Sequence, residues 1–262
     1  MIGFIGGGNM AEAMIKGMTS QGMKDIIVSE PRQERRQELE RLYGIRTSPS
    51  NQEVAGSSRI IILAVKPQSM EEVLAGIAGC ITSEKTVVSI AAGITLSYLG
   101  ERLKTDRLIR VMPNTPALVQ EGMSVMSLCE CFSDEDLNTV RSILMSIGKV
   151  MTLPEKLMNA VTAVSGSGPA FFARFVEAMV DAGEGLGLER DNARELAVQT
   201  VIGTAKLLET GMPPDRLRQM VTSPGGTTAA GLGVFEDRGL GDLVKAALTA
   251  ARDRAEDLGR RS

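Results

Sequence analysis

The sequence predicts an α/β protein, in which a doubly wound parallel sheet over residues 1–154 is followed by an all-helical domain over residues 155–262. Two observations support this fold class. In the first part, short apolar runs alternate with segments of good helix formers, as in sheets whose strands are joined by crossover helices. After Glu155, apolar residues recur at helical spacing over long segments, and no run is typical of a strand.

Seven short runs predict the strands of the sheet. Arg59–Val65 and Thr86–Ile90 are nearly continuous apolar runs, as expected for strands buried on both faces of a parallel sheet. The small residues Ala91 to Gly93 follow the second run and leave room for a ligand at the carboxyl edge of the sheet. The other strands are predicted at Ile2–Ile5, Asp25–Ser29, Leu108–Met112, Met123–Met126 and Val150–Leu153, and helices at Gln33–Tyr43 and Asp134–Ser146.

The second domain is predicted to contain three long helices. They cover Ala170–Leu186, Asn192–Leu208 and Leu243–Leu258. Their apolar residues are numerous for so small a domain, so we expect part of this surface to pair with a second copy of the chain.

The first helix of the chain follows a glycine turn. The segment from Ile2 to Met14 contains G-x-G-x-x-A, with Gly6, Gly8 and Ala11 in the fixed positions. In a dinucleotide site the first glycine allows the sharp turn, the second lets a pyrophosphate approach the backbone, and the small third residue allows close helix packing. The phosphates would face the free N–H groups of the helix start. The alternative is a glycine-rich turn without a ligand, but the strand-helix alternation that follows favours the nucleotide.

Glu30 follows the second predicted strand, where such a fold places the residue that contacts the cofactor ribose. A carboxylate at this position favours the free 2′-hydroxyl of NAD and repels the 2′-phosphate of NADP. Arg32, Arg35 and Arg36 could instead hold that phosphate, although Arg35 and Arg36 also fit a solvated helix face. The sequence therefore leaves the choice between NADH and NADPH open.

Composition excludes several classes of function. The net charge of −3 gives no basic field for nucleic acid, and no apolar run is long enough to span a membrane. We expect no signal peptide, because Met1 runs straight into the glycine turn. The cysteines at 80, 129 and 131 lack a zinc-binding pattern, so we expect reduced thiols, no metal site and a cytoplasmic protein.

The chain contains no histidine. This excludes Ser-His-Asp and Cys-His catalysis, histidine-ligated metals and a histidine general acid. Any catalysis must depend on hydroxyls, carboxylates, lysines, backbone dipoles or a cofactor.

Two segments of the second half place small and hydroxyl residues at predicted helix starts. They are Val164–Pro169 (VSGSGP) and Val221–Thr228 (VTSPGGTT). Free N–H groups and hydroxyls at such a position can hold an anion, although helix capping is the simpler explanation for Ser165 and Ser167. Paired glycines and threonines exceed what one cap requires, so the second segment is the stronger candidate for binding a small carboxylate.

The motifs together resemble the pyrroline-5-carboxylate reductase family over essentially the full length. The resemblance rests on FIGGGNM at Phe4–Met10, AVKP at Ala64–Pro67, RVMPNTP at Arg110–Pro116, SGSGPA at Ser165–Ala170 and SPGGTT at Ser223–Thr228. It implies an enzyme with a Rossmann-type domain and a helical dimerisation domain. Such an enzyme reduces 1-pyrroline-5-carboxylate to L-proline with NADPH or NADH, as an intertwined homodimer that can assemble into a decamer of five dimers.

The resemblance also implies roles for single residues. The substrate carboxylate would lie near Ser223, Gly226 and Thr227, and the catalytic Thr228 hydroxyl near the ring nitrogen. Family members often carry a small polar residue where this chain has Glu30, which bears on the choice of cofactor. Cofactor contacts are implied for Ile5, Gly6, Gly7, Gly8, Asn9, Met10, Asn51, Val65, Lys66 and Ala92.

Three other functions are compatible with parts of the sequence. A related imine or β-hydroxyacid reductase is the nearest, but the latter would need a catalytic lysine, for which Lys156 is the only nearby candidate. A non-catalytic dinucleotide-binding regulator would not need the SPGGTT segment. A purely structural helical protein leaves the first domain unexplained.

Overall fold

The computed structural model describes residues 1–129 and 134–260. The chain forms two compact units, one comprising residues 1–167 together with the chain end from residue 250, the other residues 168–249. The first unit contains a single eight-stranded sheet, and the described residues of the second unit form helices and turns.

The sheet has the spatial order β3-β2-β1-β4-β5-β6-β7-β8. The strand order reverses between β1 and β4. In doubly wound sheets, ligands bind in the crevice outside the carboxyl ends of the strands at such a reversal. The strands are β1 (Ile2–Ile5), β2 (Ile26–Ser29), β3 (Arg46–Ser48), β4 (Ile60–Leu63), β5 (Thr86–Ser89), β6 (Leu108–Met112), β7 (Gly122–Leu128) and β8 (Gly148–Thr152).

Helices cover both faces of the sheet. One core packs Phe4 and Ile62 against one group of helices, and the other packs Ile5 and Ile61 against a second group. Neighbouring residues of one strand thus enter opposite cores, which requires the continuous apolar runs of the sequence. The first face carries α1 (Asn9–Ser20), α2 (Gln33–Tyr43) and α6 (Asp134–Met145); the second carries α3 (Asn51–Ser57), α4 (Met70–Ile77) and α5 (Leu96–Leu103).

The structure confirms the predicted doubly wound sheet, but one of its strand pairs is antiparallel instead of parallel. β7 runs antiparallel to β6, with Val111 opposite Met126, while β8 runs parallel to β7. Only residues 113–121 connect β6 to β7, and they contain a 3₁₀ turn at Thr115–Val119. A parallel return needs a crossover of about a dozen residues or more, so this short connection brings the chain back in the opposite direction.

The second unit is helical, as predicted, and has a small core of its own. Val180, Ala193 and Ala197 form a buried cluster with the partly buried Val176. Large apolar side chains remain exposed on the single chain, among them Phe172, Leu196 and Leu243. After a short α7 (Met158–Val161) in the first unit, the remaining helices are α8 (Gly168–Gly185), α9 (Arg190–Glu209), α10 (Pro214–Met220), α11 (Thr227–Asp237) and α12 (Leu240–Arg260), the last of which ends in the first unit.

Among residues 1–129 and 134–260, no helix is both long and apolar enough to cross a membrane. Cys80 carries a free thiol. Cys131 lies outside the described residues, so the structure does not bear on the Cys129-x-Cys131 pair.

An ion pair between the buried Arg110 and the partly exposed Glu155 stabilises the segment that follows β8. Glu155 Oε1 accepts hydrogen bonds from Arg110 Nη1 at 3.1 Å and from the backbone N–H of Leu96 at 2.8 Å. The Arg110 side chain is 7% exposed, so the Glu155 carboxylate compensates for the removal of the guanidinium from water. Glu155 therefore ties the segment after β8 to β6 and to the start of α5.

We expect Glu155→Ala to lower the free energy of unfolding by about 2 kcal/mol, because it leaves a buried guanidinium and a helix N–H group without their acceptor. Glu155→Gln keeps an acceptor oxygen and should lower the free energy of unfolding by a smaller amount. Lys156→Ala, at the exposed neighbouring position, is the matched control. Urea denaturation followed by circular dichroism measures all three, and equal midpoints for Glu155→Ala and Lys156→Ala would contradict the assigned role.

Candidate dinucleotide and substrate sites

Parallel register brings the ends of four strands to one edge of the sheet. Ile5 lies opposite both Ser29 and Leu63, and Leu63 lies opposite Ser89. The residues that follow each strand therefore emerge side by side. These are Gly6, Glu30, Ala64 and Ile90, and they include or precede most of the predicted cofactor-binding positions.

The turn after β1 requires glycine at its first position. Gly6 has φ +101°, a conformation that side chains disfavour. A Cβ on Gly6 would also approach the Ala64 carbonyl oxygen to 2.8 Å and Val65 Cγ1 to 3.0 Å. The sharp turn that the sequence predicted is thus enforced by the backbone of the neighbouring strand end.

The start of α1 fits a pyrophosphate. Gly8 precedes the helix, and a Cβ built on it meets no protein atom within 4 Å, so its surface is open. The first backbone bond of the helix runs from Glu12 N–H to Gly8 O, which leaves the preceding N–H groups at Asn9 and Met10 without an intrahelical carbonyl. Ala11 is fully buried, as close packing of this helix on the sheet demands. An open glycine surface beside free helix N–H groups suits an anionic ligand.

Glu30 and Arg35 hold Gly7 from two sides. Gly7 N–H donates to Glu30 Oε2 at 3.2 Å, and Arg35 Nε donates to Gly7 O at 2.9 Å. A Cβ on Gly7 would lie 3.1 Å from Leu39 Cδ1 and 3.2 Å from Glu30 Cβ. The middle glycine therefore has an intramolecular role that the sequence pattern did not reveal.

The Glu30 carboxylate is buried and paired with Arg32. Arg32 Nε and backbone N–H donate to Oε1 at 2.8 and 3.1 Å, and Arg32 Nη2 donates to Oε2 at 3.3 Å. Burial raises the pKa of Glu30, but the hydrogen bonds and charge of Arg32 and the Gly7 N–H outweigh it, so the pKa lies below its usual value. The carboxylate is therefore ionised at neutral pH.

The structure corrects the interpretation of Arg35 as part of a solvated helix face. Its side chain is 14% exposed and bonds Glu12 and Glu38 in addition to Gly7 O. Glu12 also accepts from the Tyr43 hydroxyl at 2.8 Å, and burial together with this carboxylate raises the pKa of Tyr43 to about 12. This network joins α1 to α2 beneath the glycine turn.

The remaining predicted cofactor residues lie at the same edge. Asn51 is the first residue of α3, and its Oδ1 accepts a hydrogen bond from the hydroxyl of Ser29. Val65 and Lys66 follow β4, and Lys66 is exposed. Ala92 follows β5 and precedes Gly93. The chain end packs closely on Gly93, because a Cβ at this position would lie 3.3 Å from the backbone nitrogen of Gly259. Their contacts with a cofactor remain predictions.

The predicted substrate residues lie together at the start of α11 in the second unit. Gly226 is the N-cap, with no side-chain cap, and its N–H donates to Ser223 O at 3.0 Å. A Cβ on Gly226 would come within 2.4 Å of Ser223 Oγ. The first helical bond runs from Ala230 N–H to Gly226 O, so the backbone N–H groups of Thr227 and Thr228, in the first turn of the helix, have no intrahelical carbonyl partner. Because no side chain caps this helix, simple capping does not account for the segment.

Ser165 has a structural partner that sequence reasoning missed. Asn114 Nδ2 donates to both the carbonyl oxygen and the hydroxyl of Ser165 at 3.2 Å, while Asn114 Oδ1 accepts from Met123 N–H at 2.8 Å. The segment Thr162–Gly166 that carries Ser165 is a π-helical turn. Asn114 therefore joins the loop after β6 to this turn and to β7.

Comparison with known proteins identifies the family of this chain. Residues 155–258 match the family model described as pyrroline-5-carboxylate reductase dimerisation, and residues 1–93 match NADP oxidoreductase coenzyme F420-dependent. A relative from Synechocystis, a pyrroline-5-carboxylate reductase, is 42% identical, over 99% of this chain and 98% of its own length. The chain belongs to the pyrroline-5-carboxylate reductase family.

Other members of the family agree over the full length. The Escherichia coli pyrroline-5-carboxylate reductase is 40% identical over 99% of this chain and 98% of its own length. The structure of the Coxiella burnetii enzyme matches with a TM-score of 0.92 at 35% identity, over 98% of this chain and 97% of that one. The Plasmodium falciparum enzyme, solved with NADP bound, matches with a TM-score of 0.87 at 30% identity, over 98% and 97% of the two chains.

Two glycine substitutions separate folding from cofactor binding at the α1 turn. Gly8→Ala places its methyl group in open space and should leave the thermal unfolding midpoint of the free protein unchanged. It should raise the Kd for NADH about tenfold or more, because the methyl group stands where the pyrophosphate must approach. Gly6→Ala should lower the midpoint as well, since its φ is positive. Calorimetric titration and thermal melts measure both; an unchanged Kd for Gly8→Ala would rule out pyrophosphate binding there.

Proposed function

We propose that this chain reduces 1-pyrroline-5-carboxylate to L-proline with a hydride from NADH or NADPH. The observation that carries the proposal is the presence, in one chain related over its full length to pyrroline-5-carboxylate reductases, of an open glycine turn at α1 and an uncapped helix start at α11. The first suits a dinucleotide pyrophosphate and the second suits a small carboxylate.

The cofactor, when bound, supplies the hydride that the imine carbon accepts. Gly6, Gly8 and the N–H groups of Asn9 and Met10 hold the pyrophosphate, and Ile5 and Gly7 complete the turn. Glu30 and Asn51 would contact the ribose, and Val65, Lys66 and Ala92 would contact the cofactor from the adjoining strand ends.

The substrate carboxylate binds at the start of α11. The hydroxyl of Ser223 and the backbone N–H groups of Thr227 and Thr228, which have no intrahelical carbonyl partner, are the donors that a carboxylate requires, and the positive end of the helix dipole adds to them. The Ser223 Oγ lies close to Gly226, which keeps these donors together. This arrangement favours a substrate with a carboxylate over a plain cyclic imine.

The chain lacks histidine, and the reaction does not require it. A protonated imine is already a good electrophile, so one hydride to the ring carbon completes the reduction. The Thr228 hydroxyl contacts the ring nitrogen and stabilises its proton, and the protein otherwise orients the two reactants. A β-hydroxyacid reductase would need a catalytic lysine, for which Lys156 is the candidate. In this chain Lys156 is exposed, and it has no role in the proposed reaction.

The active form is a homodimer built through the second unit, and five dimers can form a decamer in the cytoplasm. Two observations support this assembly. The family model that matches residues 155–258 is that of a dimerisation domain, and the second unit exposes more large apolar side chains than is favourable for a surface in water. Residues 155–262 thus act as the substrate-binding and dimerisation domain, and residues 1–154 as the dinucleotide-binding domain.

The direct test is oxidation of NADH and of NADPH by the purified protein, followed by nicotinamide absorbance with and without 1-pyrroline-5-carboxylate. Imine-dependent oxidation with either cofactor, with proline as the product, is the expected result. Cofactor binding without turnover would instead favour a dinucleotide-binding regulator, and turnover with other imines alone would favour a different imine reductase.

Thr228→Ala should lower kcat about a hundredfold, because a hydroxyl that stabilises the proton on the ring nitrogen is lost. The Kd for the cofactor should not change. Thr228→Ser, which keeps the hydroxyl, is the matched control and should retain most of the activity. Steady-state kinetics and cofactor titrations measure these effects, and wild-type turnover by Thr228→Ala would remove Thr228 from the reaction.

Phe172→Asp should convert the dimer to a monomer, because it places a charge on an apolar side chain that is 69% exposed in the single chain and buried in the proposed interface. Leu42→Asp, on α2 of the first unit, is the control, with Leu42 47% exposed. Size-exclusion chromatography with light scattering gives the mass of each variant. A dimer that persists in Phe172→Asp would place the interface elsewhere.

A further inference from the structure

We propose that Glu30 makes this chain prefer NADH to NADPH, and that Arg32 serves as the partner of the Glu30 carboxylate and not as a ligand of the 2′-phosphate. The inference rests on the proposed dinucleotide site. It concerns charges at the ribose position that belong to this chain, whatever nucleotide its relatives bind.

The position of Glu30 is fixed by the sheet and by the glycine turn. It follows β2 directly, its N–H donates to Ser48 O at 3.0 Å, and its carboxylate reaches Gly7 N–H at 3.2 Å. Only 5% of the residue is exposed. A carboxylate that touches the glycine turn at the end of the second strand stands where an adenosine ribose presents its 2′-hydroxyl.

The charge of Glu30 discriminates between the two cofactors. The 2′-hydroxyl of NADH is neutral, whereas the 2′-phosphate of NADPH would bring a charge of about −1.5 to −2 close to the Glu30 carboxylate, which repels it. Glu30 cannot easily escape by protonation, because Arg32 and the Gly7 N–H lower its pKa. It cannot easily move away either, because its two oxygens are held by these donors.

The cations nearby are already engaged. Arg35 bonds Gly7 O, Glu12 and Glu38 through its three nitrogens, and moving it to a phosphate would break the network beneath the turn. Arg36 Nη1 donates to the backbone oxygens of Glu30 and Pro31, both at 2.8 Å. These two arginines therefore shape the loop that carries Glu30.

Arg32 is the cation most able to move, since its side chain is 69% exposed. If the Arg32 side chain left Glu30 for a phosphate, the carboxylate would lose two hydrogen bonds and its neutralising cation, and a buried negative charge would remain beside the incoming phosphate. The energetic cost of that rearrangement falls on NADPH alone. Arg32 therefore stays paired with Glu30 and does not serve as a ligand of the 2′-phosphate.

The test is calorimetric titration of the full-length protein with ADP-ribose and with 2′-phospho-ADP-ribose, which contain the discriminating groups without the reacting ring. The wild type should bind ADP-ribose at least about tenfold more tightly, a difference that corresponds to ~1.4 kcal/mol. Glu30→Gln keeps the size and an acceptor oxygen but removes the charge, and should reduce the preference several-fold or reverse it. Glu34→Gln, an exposed glutamate on α2, is the matched control and should leave the ratio unchanged.

Arg32→Gln distinguishes the two roles of Arg32, even if Glu30→Gln folds poorly. The proposal expects its preference for ADP-ribose to stay the same or to increase. A selective loss of 2′-phospho-ADP-ribose binding, or tighter binding of that ligand by the wild type, would overturn the proposal and make Arg32 a phosphate ligand. In that case imine-dependent turnover would still support the reductase function, whereas failure of both ligands to bind would remove the dinucleotide site itself.

Discussion

The parallel register around β1 is the constraint on which the nucleotide edge depends. Ile5 is paired with Ser29 on one side and Leu63 on the other, so three strands end at the same level. Because these strands are buried on both faces, a shift of one residue would exchange the side chains of the two cores. The same register brings the Ala64 carbonyl against Gly6, which is why a positive φ and a missing side chain are required there.

Paired charges then fix the shape of the turn before any ligand arrives. Glu30 and Arg35 hold the N–H and the C=O of Gly7, and each is neutralised by further partners, Arg32 and Glu12 respectively. A buried charge without such a partner would be destabilising, so neither side chain is free to vary independently of the others. The groups that stabilise the turn are thus the same groups that we propose to select the cofactor, and this would couple cofactor selectivity to folding.

Much of this fold follows from local sequence, and the failures have physical causes. Long buried runs and long amphipathic helices were predicted correctly because their periodicity reports burial. Several short elements were not predicted. The edge strand Arg46–Ser48 is short and polar, and the helices α3, α4 and α5 have seven or eight residues each, too few to show a clear helical period. The direction of β7 depends on the length of the connection from β6, which the apolar pattern does not report. The hydrogen bond from Arg35 to the Gly7 carbonyl oxygen joins residues 28 positions apart in the sequence. Contacts of that kind have no local signature.

The second unit raises a different question, because its own core is too small for its length. Apart from a cluster around Val180, Ala193 and Ala197, its helices turn many large apolar side chains outward in the single chain. Helices of this kind gain most of their stability from tertiary packing and not from intrinsic propensity. The segment proposed to bind the substrate carboxylate begins one of these helices, α11. A partner that covers the apolar faces would therefore stabilise the start of α11 as well, and with it the Thr227 and Thr228 N–H groups that we propose to bind the substrate carboxylate.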